Sequence, residues 1–496
     1  MAGTKTGMPD AGDMQADVVI IGTGASGLCA ALTLSFGGAS VLIFEQMYEV
    51  GGMTNHAEGM FAVESKMQKK AKVGLTLNEA FHTHMEETHW LANARLVKKF
   101  MEKSGPTIQW LEDLGVRFSG LYNISPFTPR VWHQFVDFGR EGLIKPLYER
   151  VREQKNIQIF LETPVQSLVM EDGRAAGVIA KAKDGNTIKA TGKAVLIASG
   201  GYQDNKEWVN KYCKSGFTQP VVPSQQTGGP IQMAWDVGAD VDGLGVMQTV
   251  VLVPGEDLSS QLLQAGYQPR LFVNRLGKRY CDESICWKFP MAGNALASQP
   301  EAIAWCIFDE TTKESLKERG SLRYVLGEFY DILAPLPDID SELQRGMKER
   351  KVFRVGSLEE IAVKIGVPLE DFLSTAEEYN QCYDAGCDFV FGKDPCYLQE
   401  IRTPPFYAIR LGAAAFMTNG GIRINDRMEV LTKDYEVIPG LYAAGCCVGG
   451  LLGDTYEVST TGGSLSFAVN SGRIAGDSAL EYLGKYTVVG SDGGES

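Results

Sequence analysis

Residues 17–45 limit what this chain can fold into more than any other stretch. Asp17-Val-Val-Ile-Ile-Gly-Thr23 is β-branched, apolar and closed by glycine, the pattern of a strand buried on both faces. Good helix formers run from Ala25 to Phe36, and Ser40-Val-Leu-Ile-Phe-Glu45 reads as a second buried strand. Strand, helix and strand in this order form a βαβ unit with parallel strands, so an α/β sheet is expected. Between the first strand and the helix lies Gly22-Thr-Gly24-Ala25-Ser26-Gly27. Its glycines permit a tight turn and let backbone N–H groups face a pyrophosphate at the positive end of the helix. Glu45 stands about twenty residues further on, where an acid holds a ribose hydroxyl.

Three later stretches narrow the ligand. Val50-Gly51-Gly52-Met53-Thr54 sits where the pyrophosphate and ring of a flavin pass, and a nicotinamide-only domain does not need it. Leu196-Ile-Ala-Ser199-Gly200-Gly201-Tyr202 is a strand running into a second glycine turn, and Gly440-Leu-Tyr-Ala-Ala-Gly445 is a third.

At 496 residues the chain is too long for one compact core, so two or three domains are expected. Residues 1–16 read as a polar arm without an apolar signal region, which makes the cytoplasm the expected compartment. Residues 17–244 and 416–496 read as the cofactor domain. Residues 245–415 are richer in proline, charge and aromatics and read as an inserted α+β domain. Within these, residues 77–114 look like one long helical tract with Thr76 as its N-cap ahead of Glu79. Residues 157–169 and 175–190 alternate like antiparallel strands, and residues 464–483 form a final helix. A net charge of -14 argues against nucleic acid or anionic lipid as partner. No stretch is long and apolar enough to span a bilayer. Ten cysteines without a CxxC pair read as reduced thiols. His82, Glu86 and His89 share a helical spacing but read as a solvated face, so no metal is expected.

The glycine turns recur in a fixed order with Val273-Asn-Arg-Leu-Gly-Lys-Arg-Tyr-Cys-Asp-Glu283, Pro404-Pro-Phe-Tyr-Ala-Ile409, Thr418-Asn-Gly-Gly-Ile-Arg-Ile-Asn425 and Asn470-Ser-Gly-Arg-Ile-Ala-Gly476. Together these resemble the fumarate reductase/succinate dehydrogenase flavoprotein superfamily over nearly the whole chain. The resemblance implies a Rossmann-like FAD-binding domain with a parallel sheet, interrupted by an α+β capping domain. It also implies hydride transfer between flavin N5 and a carbon next to an activating carbonyl. By the same resemblance Ala25, Ser26, Thr54, Gly59, Val165, Ser199 and Gly445 line FAD, with Gly22, Gly24, Gly27, Glu45, Gly52, Met53 and Gly200 around it. Ser464 and Leu465 stand at the pyrimidine end of the ring, where a helix N-terminus favours the negative charge of reduced flavin.

The chain departs from the dicarboxylate reductases of that group. Their histidine pair is replaced by Phe416-Met417, a substrate arginine by Tyr456, a further arginine by Trp287, and the proton-donating arginine by Lys313. Lysine does not replace a bidentate fork, so a small dianion would be held badly. Tyr456 matches instead a tyrosine of 3-ketosteroid dehydrogenase-like members that polarises a substrate carbonyl, although Glu457 stands where those have proline. The expected activity is that of an ene-reductase or dehydrogenase on a neutral cyclic or aromatic enone-type small molecule. Tyr456 is its electrophile, and Tyr122, His133, Tyr267, Tyr280 and Lys313 are candidate proton donors, Tyr122 and Lys313 foremost. The aromatic segment 121–135 would wall the substrate. No haem-attachment or iron–sulfur motif occurs, so the electron donor or acceptor is external: a protein, a quinone or a reduced cofactor. Three other readings stay open. One is a fumarate- or urocanate-type carboxylic acid reductase, another a non-catalytic FAD electron-transfer subunit, and the third an amine or amino-acid oxidase.

Overall fold

A computed structural model describes residues 13–123, 129–213, 221–222, 224–257, 259–320 and 335–485. Residues 1–12 of the polar arm and 124–128 of the aromatic segment lie outside the described residues. The chain divides into two compact units, one of residues 1–212, 224–246 and 418–496, the other of residues 213–223 and 247–417.

The first unit is built on Val18–Ile21, whose four residues are all buried. This strand pairs in parallel with Val41–Phe44 on one side and Ala194–Ile197 on the other. Ile157–Phe160 extends the sheet beyond Val41–Phe44, and Val437–Ala443 extends it beyond Ala194–Ile197. Glu429–Leu431 closes that edge antiparallel. Parallel strands need crossovers, and Ala25–Phe36 supplies the first, so a hydrophobic run in register (Val18 beside Val41 and Ala194) becomes a sheet covered on its faces. The last helix, Gly463–Tyr482, packs along the first, and Gly472 sits so close to Ser26 that a side chain there would overlap its backbone.

The α/β expectation holds, with two local differences. Ile157–Phe160 joins the parallel sheet rather than an antiparallel pair; only Val165–Glu171, Arg174–Lys181 and Thr187–Thr191 are antiparallel, with Met14–Gln15 added at the edge. Alternation in sequence is the same in both cases, and the neighbouring strand decides. The helical tract is two helices, Leu77–Glu87 and Ala94–Asp113. His89 and Trp90 take left-handed φ of 54° and 57° between them, while Asn93 caps the second helix and its N–H reaches Gly450 O. The break is therefore where the glycine-rich stretch after residue 449 presses in. Thr76 caps the first helix in a reciprocal box with Glu79, as expected.

The second unit holds Leu271–Asn274, Ile303–Asp309, Val352–Val355 and most of the long strand Phe406–Ile422 in one antiparallel sheet. One face packs Leu271, Val273, Trp305 and Ile307 against Phe372 and Tyr379. Helices Glu310–Glu318 and Leu369–Asp384 belong to the same unit.

Candidate active site

Four adjacent parallel strands of the first unit release their loops at the same edge, the place where α/β sheets bind ligands. Gly22 leaves the central strand at φ 105°, and a Cβ there would stand 2.5 Å from Ala198 O. Only glycine fits, and the chain turns directly into the helix. Thr23 donates through its N–H and hydroxyl to Glu45 Oε2, at 2.9 and 2.6 Å, and Met47 N–H donates to Oε1. Glu45 thus orients the turn from the end of the neighbouring strand. Thr163 N–H reaches Glu45 O, which brings the start of the strand holding Val165 alongside. Ala25 N–H donates to Thr54 Oγ1 at 3.2 Å, tying the helix start to the Gly51–Thr54 turn. Ser199 and Gly200 follow the strand on the other side, where Gly201 N–H is held by Gln226. Gly445, at φ 82°, brings its backbone to Ser26 and its N–H to Ser471 Oγ.

These residues fit FAD on their own geometry. A Cβ on Gly52 would meet nothing within 4 Å, and one on Gly24 would touch only Gly51 O and Thr54 Oγ1 at 3.8 Å, so the cradle is not filled by protein. The helices starting after Gly24 and Gly462 have no side-chain cap, which leaves their N-terminal N–H groups for an anion. The buried Asn419 Nδ2 lacks a partner, beside the contact that Ser464 Oγ makes to Asn419 Oδ1. Met53 and Leu465 are half-buried at the same two turns. Gly59 begins a strand whose Phe61 N–H bonds Gly462 O, and Trp132 wedges against both Gly59 and Gly462. Tyr122 pairs with Trp132 across that small sheet, its ring lying back over Gly120.

Tyr456 is 7% exposed, and Leu451, Leu452 and Val458 of the same stretch are buried as well. Burial raises its pKa; the hydroxyl and N–H of Ser464 act on its oxygen in the opposite sense, and the charge of Glu457 adds to the rise. The phenol is therefore a firmly protonated donor next to the start of the last helix. Glu457 itself points the other way. It accepts from His84 Nδ1 at 2.9 Å, from the hydroxyls of Ser459 and Thr460, and from Thr460 N–H. His84 Nε2 meets Leu451 O at 2.8 Å. Both ring nitrogens face acceptors, so both carry protons and the pair is a buried imidazolium–carboxylate. Burial alone would raise Glu457, yet His84 and the hydroxyls hold it down at about 2. Burial alone would lower His84, yet Glu457 and the Leu451 carbonyl raise it.

His84 escaped the sequence reading, which singled out the exposed His82 and His89 instead; His89 lies beyond the helix end. The signal was present in an acid with no basic residue in its own stretch. His133 is buried against Ser65 Oγ at 2.7 Å, and burial lowers its pKa to about 4. His56 is exposed. Cys446 and Cys447 have thiols pushed up by burial, to about 12 and about 11, and so are poor nucleophiles. Tyr267, Tyr280 and Lys313 belong to the second unit. Burial works against the Lys313 cation, but Glu314, Glu310 and Asp340 surround it and raise its pKa. Among the described residues no cluster suits a metal ion, and no helix is long and apolar enough to cross a membrane.

The sequence model described as "FAD binding domain" matches residues 17–462. A vinyl phenol reductase of Lactiplantibacillus plantarum is 31% identical over 95% of this chain and 98% of its own. An NADH:fumarate oxidoreductase of Klebsiella pneumoniae is 28% identical over 96% of this chain, which spans 49% of that protein. Among solved structures, 3-ketosteroid-delta4-(5alpha)-dehydrogenase from Rhodococcus jostii RHA1, in complex with 4-androstene-3,17-dione, is 25% identical. It aligns over 94% of this chain and 97% of its own with a TM-score of 0.73.

Proposed function

This chain belongs to the FAD-binding family of the fumarate reductase and succinate dehydrogenase flavoproteins, FAD-dependent oxidoreductases acting on carbon–carbon bonds, and from that premise we propose that it reduces or forms a C=C bond conjugated to the oxygen of a neutral, apolar cyclic or aromatic substrate. The observation that carries this reading is Tyr456, a buried and firmly protonated phenol beside Ser464. Bound FAD supplies the hydride chemistry. Tyr456 donates a hydrogen bond to the conjugated oxygen and stabilises the charge that develops there. Ser464 N–H and hydroxyl orient the phenol, and its burial excludes water, which strengthens that bond. Phe416, Met417 and Trp287 at the expected clamp positions favour a ring over a small dianion. The names of the relatives agree in part, since a vinyl phenol and a ketosteroid both present an oxygen conjugated to the reacting carbons.

We assign the proton at the neighbouring carbon to Tyr122 ahead of Lys313, because three carboxylates hold the Lys313 ammonium. Electrons come from or go to an external partner. The test is anaerobic. Flavin reduced by light is mixed with a 3-keto-4-ene steroid, cyclohexenone, a vinyl phenol and fumarate, and its reoxidation is followed. Rapid reoxidation by the neutral compounds, lost in Tyr456→Phe, supports the reading. Preferential reoxidation by fumarate refutes it.

A further inference from the structure

Tyr456 sits in a stretch without regular structure of its own. Residues 451–461 form neither helix nor strand, so no ladder of backbone bonds orders them and side chains must. The stretch lies on the end of helix Leu77–Glu87 and the start of helix Ala94–Asp113. Asn93 N–H donates to Gly450 O at 2.8 Å. A Cβ on Gly453 would stand 2.5 Å from Thr88 O, so glycine lets the two backbones meet there. His84, in the last turn of the first helix and fully buried, bonds the stretch on both sides of the tyrosine. Its Nε2 donates to Leu451 O at 2.8 Å, before Tyr456, and its Nδ1 donates to Glu457 Oε1 at 2.9 Å, directly after it. Glu457 accepts in turn from the hydroxyls of Ser459 and Thr460, gathering the chain that leads to the last helix. The His84 backbone is itself anchored, since its carbonyl accepts from the buried Thr88 hydroxyl at 2.8 Å.

A buried ion pair adds little net stability over apolar side chains of the same volume, because both charges must leave water. What this pair adds is direction: two bonds from one planar ring fix two points of the loop, with Tyr456 between them. We propose that His84 is a positioning residue for Tyr456, setting where the phenol oxygen stands by bridging Leu451 O and the Glu457 carboxylate. The catalytic meaning of this rests on the reading that Tyr456 donates to the conjugated oxygen of the substrate. Glutamine cannot take over the bridge: its NH2 reaches one acceptor, and its carbonyl would face the other.

The test has two arms, and the first needs no substrate. FAD-loaded enzyme carrying fluorotyrosine is compared with its His84→Gln variant by fluorine NMR, the Tyr456 resonance being assigned by its loss in Tyr456→Phe. That resonance shifts or splits in His84→Gln, while the other tyrosine lines stay and report an intact fold. The second arm is a double-mutant cycle on reoxidation of light-reduced flavin by the neutral compound that reoxidises wild type fastest. His84→Gln lowers the saturating rate on the order of 10–100-fold, as a displacement of about 1 Å would, with the half-saturating concentration within about threefold. In the Tyr456→Phe background the same substitution costs less than about threefold, because the two residues act as a unit. A Tyr456 resonance unmoved by His84→Gln overturns the proposal, and so does a rate loss that multiplies in full with that of Tyr456→Phe. If His84→Gln does not fold, Glu457→Gln, which keeps the size and removes the charge, takes its place with the same outcomes. If Tyr456→Phe leaves the rate unchanged, or no neutral compound reacts, the reductase reading fails and the resonance alone decides the placement.

Discussion

Glu457 in the first unit and Arg270 in the second are both charges removed from water, and they are treated in opposite ways. Glu457 receives every donor it can use: an imidazolium, two hydroxyls and a backbone N–H. Arg270 keeps its Nε without a partner. A buried charge satisfied by its own chain fixes a conformation, and here the conformation fixed is that of the loop carrying Tyr456. The contrast is between a charge that the fold completes and one that it leaves partly unpaired.

The sharpest way to break this contrast is Glu457→Ala. Removing one partner of a buried pair leaves the His84 imidazolium stranded, and a loss of about 3–5 kcal/mol of unfolding free energy is expected in denaturant titration. Tyr456→Phe should leave the Glu457 network intact, so the melting temperature holds while turnover of an enone falls about 10²–10³-fold, the size expected for one lost oxyanion donor. If stability falls with turnover, the phenol is part of the scaffold. Arg270→Leu should move stability the other way, by up to about 1–4 kcal/mol upward, because it removes an unpaired ion rather than a partner. A destabilised Arg270→Leu protein would mean the guanidinium is satisfied after all.

Titration sharpens the same point with a smaller effect. The folded pKa of His84 is raised, so its stabilisation is complete below its unfolded value near 6.5 and is lost as pH rises through the folded value. Glu457, held at about 2, stabilises above its unfolded value near 4.5 and loses that contribution as pH falls towards 2. The pair therefore contributes most between these limits, and Glu457→Gln should flatten the alkaline decline of melting temperature. The least change is expected in turnover of Lys313→Gln, within about threefold of wild type, since an ammonium held by three acids is poorly placed to give up its proton.

The glycine turns after the parallel strands could be read in advance because their information is local. Gly22 and Gly445 take backbone angles that few other residues tolerate, and the apolar strands preceding them are contiguous. The His84–Glu457 pair could not, since its members are 373 residues apart and the one hint, an acid without a basic neighbour, does not name its partner. The helix break at His89 and Trp90 was hidden for a related reason: both residues are forced into left-handed angles by packing rather than by their own preference. Ile157–Phe160 carries the alternation of an antiparallel strand and takes its direction from Val41–Phe44. Arg270 was legible only as one arginine among many until its surroundings showed the missing partner.

The cradle also has an order in time. Its loops come from residues 22–27, 51–54, 199–201 and 445, and the helix that faces them begins at Gly463. The strand Ala194–Ile197 must wait for Val437–Ala443 to complete its pairing. On a ribosome the turn at residues 22–27 is made more than four hundred residues before the helix at Gly463, and the cradle is incomplete until both have emerged. A nascent chain halted before Gly463 should carry no flavin, so cofactor capture reports that the helix starting there has emerged.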